Sequence, residues 1–416
     1  MEKTKLKSGL TIITERYSQF PSFALSYTLK SGSRNEKEHN NGIHHLIEHM
    51  LFKGSNEYSQ KEIAEISDRL GGRMNAFTSR EITQYYIKSI NEKLPESFNL
   101  LSDIVFNSNF DEIEFEKEKS VICQEIKEGD DNPDSKVFEY FYKDIFGNSG
   151  IGLPIAGTIQ SVSEFSRGSV FDKYGTLYIP ANIILCCVGS VSHKDIVSLA
   201  EKKFPKVYDK VKNGIKDCKP SFASGTFIHR NRNIKQVYSV IGFESIPITS
   251  PKRYAYMILN DILGAGMSSR LFQKIREDKG LAYTVNSFID SYDSFGIHMI
   301  YAITDSGKIT DYLNAIKDEV TILKKNGISK EELHKSKDHI KSSLVLSLEN
   351  NVSKMRFFLN GELYFNKKRN IDDMIGKIDK IGLKDINEIL ENYPNTDRVS
   401  TVLYGNIPEN EPFDFN

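Results

Sequence analysis

Gly42-Ile43-His44-His45-Leu46-Ile47-Glu48-His49-Met50-Leu51-Phe52 is an apolar run that carries a compact group of polar side chains. Its spacing predicts one helix, on which His45 and His49 stack about one turn apart and Glu48 shares their face. Two imidazoles on a rigid helix with a carboxylate beside them are typical of two zinc ligands and a general base. A motif this short needs support from the rest of the sequence, and a catalytic zinc needs a third protein ligand.

The composition is that of an ordinary globular protein with room for two domains. The chain has 416 residues, of which 39% are hydrophobic and 27% are charged. This length accommodates two cores of roughly 200 residues each. Lys and Arg number 55 against 56 Asp and Glu, a formal net charge of -1. The balance provides no electrostatic field for nucleic acid or an anionic membrane, and we expect neither as a partner.

The N-terminal sequence and the cysteines both favour a cytoplasmic protein. Residues 1–10 lack the apolar core of a signal peptide, and no run approaches the roughly 18 apolar residues of a membrane span. Cys186 and Cys187 are adjacent in the apolar run 182–188, which predicts a buried strand whose neighbouring side chains point to opposite faces. This arrangement disfavours a disulfide and favours reduced core cysteines, as expected in a reducing compartment.

The order of predicted elements repeats in the second half of the chain. Strands and runs of helices are segregated, which is typical of an α+β fold, and similar order in halves of similar length predicts an internal duplication. We expect a first domain at residues 1–206, a Lys-rich linker at 207–224 and a second domain at 225–416. The second half has no His or Glu at the place that matches the helix of His45. Metal chemistry is therefore expected in the first half alone.

Hydrophobic periodicity also places elements away from the histidine stretch. The patterns predict single helices near Ser161–Tyr174 and over Asp372–Asn392, and they place the first strand of the second half at Gln236–Phe243.

A predicted helix over residues 111–128 offers candidates for the third ligand. Glu118 and Glu125 are seven residues apart, about two turns, and so share one face of this helix. Apolar residues at 121–123 and 126 indicate that this end of the helix is buried, where a lone carboxylate needs a partner. The earlier acidic residues at 112, 114 and 116 are more typical of a solvated face.

These residues together resemble the signature of a known family. His45-x-x-Glu48-His49, followed after 75 intervening residues by Glu125, resembles the motif of the pitrilysin-type inverzincin metallopeptidases, peptidase family M16. The flanking stretch 50–55 is also similar, although the family usually has Thr where Ser55 stands. The resemblance implies that His45, His49 and Glu125 bind one Zn²⁺ per chain and that Glu48 is the catalytic base. It also implies a supporting role for Glu118, and it is nearest to the short branch that includes mitochondrial processing peptidase β-subunits and bacterial processing proteases.

Two further stretches are similar to the same family. Gly71 to Thr78 resembles an edge strand that binds the substrate backbone as an added strand, which implies substrate-binding roles for Asn75, Ala76, Phe77 and Thr78. Gly264 to Tyr283 resembles the block of the second domain whose residues matching Arg276 and Tyr283 reach across a cleft to the substrate. The implied architecture is two homologous α+β domains, each a mostly antiparallel sheet with helices packed on it, that face each other across that cleft.

One residue departs from the family pattern. The family usually has a small residue where His44 stands. On a helix His44 points about 100° away from His45, so it does not easily join the same metal. We expect a packing role for His44, or one in support of the metal ligands.

The resemblance leaves two classes of function open. The first is a zinc-dependent endopeptidase that cleaves extended or unfolded peptides, with the processing of precursors as one role. The alternative is a non-catalytic peptide-binding or structural partner subunit of a heterodimeric peptidase complex. Because every implied ligand and the base are present, we favour the enzyme. Expected partners are peptide substrates and a second chain, as a homodimer or as a heterodimer with a related subunit.

Overall fold

A computed structural model of the chain describes residues 1–207, 219–393, 398–409 and 413. Most of the predicted linker, residues 208–218, lies outside the described residues. The described cysteines Cys123, Cys186 and Cys187 are free thiols, and the latter two are buried. Within the described ranges, no helix is both long enough and apolar enough to cross a membrane.

The strands of the described residues form two sheets. In chain order they are β1 Glu2–Lys5, β2 Thr11–Arg16, β3 Ser22–Leu29, β4 Arg73–Thr78, β5 Thr83–Ile90, β6 Ile183–Gly189, β7 Gly225–Arg230, β8 Gln236–Ser245, β9 Ala282–Ser291, β10 Gly296–Asp305 and β11 Val399–Gly405.

Helices connect and cover these strands. They are α1 Ile43–Met50, α2 Gln60–Arg69, α3 Leu94–Phe106, α4 Glu112–Asp130, α5 Pro133–Phe146, α6 Ile159–Glu164, α7 Arg167–Leu177, α8 His193–Lys203, α9 Arg253–Gly264, α10 Ile309–Asn326, α11 Lys330–Ser347, α12 Asn351–Phe365, α13 Ile371–Lys380 and α14 Leu383–Leu390. A π-helical segment occupies Phe272–Asp278, and short 3-10 turns join several of the elements.

The first sheet has the strand order β1-β2-β6-β3-β5-β4 in the described chain. Its neighbours are antiparallel except β2 and β6, which run parallel. Alternate residues of β3, from Phe23 to Leu29, are buried with apolar side chains of α1, α3 and α8, because successive strand residues point to opposite faces. This order places β4 at one edge of the sheet, next to β5.

The second sheet has the order β7-β11-β8-β10-β9. Its parallel pair, β7 and β11, corresponds to β2 and β6, and the other strands follow in the same order and direction. Strands β2-β6-β3-β5-β4 of the first sheet therefore have the topology of the second sheet, with β1 added at one edge. The predicted α+β class and the repeated architecture are confirmed.

The compact units differ from the predicted sequence halves in two segments. The first unit contains the described residues of Met1–Lys127, Asn148–Lys216 and Ser347–Arg369, and the second contains those of Glu128–Gly147, Asp217–Leu346 and Asn370–Asn416. Helix α5 packs on β8 and β11 of the second unit, whereas α12 packs on β3 and β6 of the first. Each helix buries its apolar side chains where it packs: Phe141 of α5 and Met355 of α12 are fully buried.

Three elements differ from those predicted by the sequence pattern. Strand β7 precedes the predicted first strand of the second half. The helix predicted near Ser161–Tyr174 is two helices, α6 and α7, because Phe165 between them has an extended backbone and Thr158 and Ser166 each cap a helix N-terminus. The helix predicted over Asp372–Asn392 is likewise divided into α13 and α14, at an extended Ile381.

Candidate metal centre

Helix α1 turns one face to the core and the other to a polar site. The apolar side chains of its first face are all buried in the first unit: Ile43, Leu46, Ile47 and Met50. His45, Glu48 and His49 lie on the other face and are partly exposed, as their spacing predicts. Burial of the apolar face thus fixes the direction in which the three polar side chains point.

Glu125 of α4 joins the two histidines of α1. One potential ligand atom from each of His45, His49 and Glu125 lies within 4.8 Å of the other two. The ring centroids of the histidines are 4.6 Å apart, and Nε2 of His49 lies 3.5 Å from Oε2 of Glu125. The structure therefore brings together the three residues that the sequence predicts as ligands, from two separate helices.

Glu118, two turns before Glu125 on α4, contacts the opposite side of the His49 ring. Its Oε2 atom lies 3.0 Å from Nδ1 of His49, and its Oε1 atom lies 2.7 Å from Nζ of Lys53. Although burial opposes ionisation, hydrogen bonds from His49 and Lys53 hold the pKa of this carboxyl below its usual value. Burial also opposes the charged form of His49, but Glu118 and then Glu125 outweigh it and raise the pKa of His49.

The donor set fits a zinc ion. Two imidazoles and one carboxylate form a ligand set found in catalytic zinc sites, where the fourth position is left for water. Burial, and then the charge of His49, lower the pKa of His45 to about 4, so its ring is in the neutral form that binds a metal. Its Nδ1 atom is buried and has no hydrogen-bond partner among the described residues.

Glu48 lies beside this group and contacts the edge strand. The hydroxyl of Thr78 at the end of β4 donates to Oε2 of Glu48 at 2.5 Å. Burial raises the pKa of the Glu48 carboxyl above its usual value, and the Thr78 hydrogen bonds and the charge of His49 only partly oppose this shift. A carboxylate that gains a proton more readily than usual suits a group that must accept one.

The four predicted substrate-binding residues of β4 divide between the two faces of the strand. Ala76 packs against the core of the first unit, and Thr78 contacts Glu48 on that side. Asn75 and Phe77 alternate with them and so point to the other face, where the guanidinium of Arg356 lies 5.2 Å from the Phe77 ring centroid. The strand thus has one face toward α1 and one toward α12.

Arg276 and Tyr283 lie close together in the second unit. The guanidinium of Arg276 lies 4.9 Å from the Tyr283 ring centroid and 4.7 Å from that of Phe272. The Tyr283 side chain is 75% exposed, so its hydroxyl is accessible from solvent. Their roles toward a substrate stay predictions.

Three contacts around the site were not predicted from the sequence. They are the bonds of Lys53 to Glu118, of Thr78 to Glu48, and of Glu36 to His44. Lys53 follows His49 by four residues, a spacing that brings it near the same face of a helix turn. The other two join residues with no periodic relation, and only their side-chain chemistry, a carboxylate and a donor, hinted at them.

Two family sequence models match the chain. The model described as "Insulinase (Peptidase family M16)" matches residues 11–159, which include the two histidines, Glu48 and Glu125. The model described as "Peptidase M16 inactive domain" matches residues 164–340, which include Arg276 and Tyr283.

Two relatives named as zinc proteases match most of the chain. The Bacillus subtilis protein named "Uncharacterized zinc protease YmxG" is 36% identical over 405 residues, 97% of this chain and 98% of that protein. A Rickettsia felis protein named "Uncharacterized zinc protease" is 37% identical over 83% of each chain. The crystal structure of a protease from Helicobacter pylori has the same fold, with a TM-score of 0.90 at 22% identity over 97% of this chain and 99% of that one. On the two matched family models and the two sequence relatives of 36% and 37% identity, the chain belongs to peptidase family M16.

Proposed function

We propose that this chain is a zinc-dependent endopeptidase that cleaves extended or unfolded peptides. The observation that carries the proposal is the convergence of His45, His49 and Glu125, with ligand atoms within 4.8 Å of one another, beside a partly buried carboxylate, Glu48, that is not one of the three. Catalytic zinc sites need these two parts: a ligand set with one open position, and a base next to it.

His45, His49 and Glu125 would hold the zinc. When bound, zinc supplies Lewis-acid chemistry that polarises a water molecule and the scissile carbonyl. Glu118 holds the His49 ring through Nδ1, so that Nε2 faces Glu125 and the proposed metal position. The names of the Bacillus subtilis and Rickettsia felis relatives both contain the words zinc protease, which supports this assignment.

Glu48 would carry the proton through the reaction. Its carboxylate accepts a proton from the attacking water and delivers it to the nitrogen of the departing amine. The Thr78 hydroxyl, bonded to Oε2, holds one carboxylate oxygen in place and leaves the other to take the proton. The raised pKa of Glu48 brings its basicity closer to that needed at neutral pH.

Strand β4 would bind the substrate backbone. It lies at the edge of the first sheet in the described chain, so its outer backbone groups are available to an added strand. Since Thr78 of β4 contacts Glu48, a peptide paired with this edge would run beside the proposed base. This mode of binding selects extended chains and disfavours folded ones. We propose that Arg276 and the exposed Tyr283 donate hydrogen bonds to the substrate.

Precursor processing is the narrower form of this proposal, and the resemblance to processing peptidases supports it. The alternative, a non-catalytic subunit, is weakened by the complete ligand set and base of the first unit. The description "inactive domain" applies to residues 164–340, a stretch that does not include His45, Glu48, His49 or Glu125.

A Glu48→Gln variant tests the proposal. Gln has the shape of Glu and keeps an oxygen to accept the Thr78 hydroxyl, but it does not take up a proton. We expect the purified protein to cleave an internally quenched, unstructured peptide, to lose activity with a chelator and to regain it with added Zn²⁺. Glu48→Gln should bind zinc and not turn over, while Glu65→Gln, an exposed residue of α2, should behave as the wild type. An active Glu48→Gln protein would exclude this mechanism, and a wild type that binds peptides without cleaving them would favour the non-catalytic subunit.

A further inference from the structure

The residue before helix α1 has no side chain that could cap the helix. The N-cap residue is Gly42, with φ 93°, and a Cβ atom there would lie 2.6 Å from the carbonyl oxygen of Ala156. Both the backbone conformation and the neighbouring chain therefore require glycine. Glycine has no side chain to accept the first backbone N–H groups of the helix, and buried N–H groups need an acceptor from elsewhere.

Glu36 supplies this acceptor from outside the helix. Its Oε2 atom accepts from the backbone N–H of Gly42 at 2.7 Å and from the side-chain amide of Asn41 at 2.9 Å. Its Oε1 atom accepts from the backbone N–H of His44 at 3.0 Å. A negative charge at a helix N-terminus is favoured by the helix dipole as well as by these bonds. One carboxylate thus takes over the capping of the first turn of α1.

His44 fastens this carboxylate in place. Its Nδ1 atom lies 2.8 Å from Oε1 of Glu36, and its Nε2 atom lies 2.9 Å from the hydroxyl of Ser31. The side chains of His44 and Glu36 are 1% and 0% exposed. Because a buried carboxylate needs a donor for each of its acceptor positions, the fourth bond, from His44, completes the set.

We propose that Glu36 and His44 are positioning residues that set the zinc affinity and the turnover of the site on α1. The inference rests on the proposed function. Their bonds fix the first turn of an eight-residue helix. The same helix carries His45, Glu48 and His49. A helix this short has no further turns to absorb a shift at its start, so loosening the first turn moves the ligands and the base together. Displacements of about 1 Å are enough to weaken a catalytic arrangement.

Four variants test this assignment. Glu36→Gln replaces one acceptor oxygen by an amide that faces two donors, and His44→Ala removes the fourth bond. His44→Asn restores it, because the Asn side-chain nitrogen occupies the position of Nδ1 relative to the backbone. Glu38→Gln is the matched control, since Glu38 is an exposed residue of the same loop. Circular dichroism establishes that each variant is folded at the temperature of the assay.

The readouts are zinc affinity, by competition with a chromophoric chelator, and kcat and KM on the quenched peptide. We expect Glu36→Gln and His44→Ala to weaken zinc binding about tenfold or more and to lower kcat with little change in KM. His44→Asn should recover most of both, and Glu38→Gln should match the wild type. A role in stability alone would lower the melting temperature but leave the zinc affinity of the folded protein unchanged.

The outcomes separate this inference from the proposed function. Wild-type zinc affinity and kcat in folded Glu36→Gln and His44→Ala would overturn the inference alone, as would equal losses in His44→Ala and His44→Asn. If Glu36→Gln does not fold, the comparison of the two His44 variants decides. A wild-type protein that binds no zinc would overturn the proposed function and this inference with it.

Discussion

Oε2 of Glu118 lies 3.0 Å from Nδ1 of His49. Because a carboxylate only accepts hydrogen bonds, the contact places the hydrogen of a neutral His49 ring on Nδ1 and leaves the lone pair on Nε2, the atom that faces Glu125. Lys53, 2.7 Å from the other oxygen, holds the carboxylate itself. Glu118 thus sets the tautomer and the orientation of one proposed ligand.

We therefore predict that Glu118→Gln weakens zinc binding by roughly 10- to 100-fold. The amide oxygen can accept from His49 or from Lys53 but not from both, so the amide NH2 group faces the other donor, and the side chain no longer carries the charge that holds Lys53. Competition with a chromophoric chelator measures the affinity. Glu116→Gln, an exposed residue on the same helix, is the control and should bind zinc as the wild type does. Equal affinity in Glu118→Gln and the wild type would contradict the role of Glu118.

From the hydrogen bond of the Thr78 hydroxyl we predict a second effect, which lowers turnover and leaves zinc affinity unchanged. Thr78→Val keeps the shape of the side chain but removes the donor 2.5 Å from Glu48. A hydrogen bond to a charged group contributes about 1.5 to 3 kcal/mol, so we expect kcat to fall roughly tenfold or more while zinc affinity stays within error. Thr78→Ser retains the hydroxyl and should keep most of the activity. Loss of zinc from Thr78→Val, or equal losses in the two variants, would show that Thr78 acts through the fold and not through Glu48.

The part of the site that lies on α1 could be predicted from sequence because it is local. The four-residue spacing of His45 and His49 fixes their relation on any helix, and Glu48 follows from the same periodicity. Glu125 and Glu118 could be placed on one face of a second helix. That this helix meets α1 depends on tertiary packing, and only the family resemblance indicated it.

There is a physical reason why the contacts of Glu36 and of Thr78 could not be predicted from the sequence. Each joins side chains whose distance is set by the fold: Glu36 reaches its partners across a loop, and Thr78 reaches Glu48 from a strand that lies 30 residues further along the chain. Periodicity carries no information about such pairs. The glycine before α1 leaves the first N–H groups of the helix without a local side-chain acceptor, but it does not identify the side chain that accepts from them.

The fold class could be predicted from the sequence because hydrophobic patterns repeat in both halves. The packing partners of two helices could not be predicted. The periodicity of α5 and α12 predicts a buried face but not the sheet that covers it, and the structure packs each helix with the sheet of the other half. Strand β7 was missed because its residues are only partly buried, which weakens the alternation that marks a strand. Each divided helix is interrupted by two extended residues, Phe165 and Ser166 or Ile381 and Gly382, and amphipathic periodicity does not detect so short a break.

From the burial of His298 in β10 we predict how the stability of the second unit depends on pH. Its ring is fully buried between Asn260, 3.0 Å from Nε2, and Tyr393, 2.6 Å from Nδ1. Burial lowers the pKa of His298 to about 3, whereas in the unfolded chain it is about 6.5. Between these values the unfolded state binds a proton that the folded state does not, so stability falls as the pH falls below about 6.5.

We expect His298 to lower the free energy of unfolding by roughly 1 kcal/mol between pH 7 and pH 5.5. Denaturant unfolding at several pH values, followed by circular dichroism, measures it. His298→Gln should flatten the pH dependence by this amount, even though it lowers stability at every pH. His334→Gln, whose ring is 80% exposed, should leave the slope unchanged. A slope that is the same in His298→Gln and the wild type would show that His298 is not the group responsible.

The ring of Phe141 on α5 lies directly over Gly242 of β8, and this contact tests the packing of α5 on the second sheet. A Cβ atom at Gly242 would lie 2.2 Å from Cζ of Phe141, and Phe141 is fully buried, so its ring has no room to move aside. We expect Gly242→Ala to lower the free energy of unfolding by about 1 to 3 kcal/mol through overpacking. Gly376→Ala, in α13 where an added Cβ meets no atom within 4 Å, should be neutral or raise stability by up to about 1 kcal/mol. In the double variant Gly242→Ala with Phe141→Leu, the smaller side chain should make room for the new methyl group, so the cost of Gly242→Ala should shrink. If that cost is the same beside Phe141 and beside Leu, α5 does not pack on β8 as described.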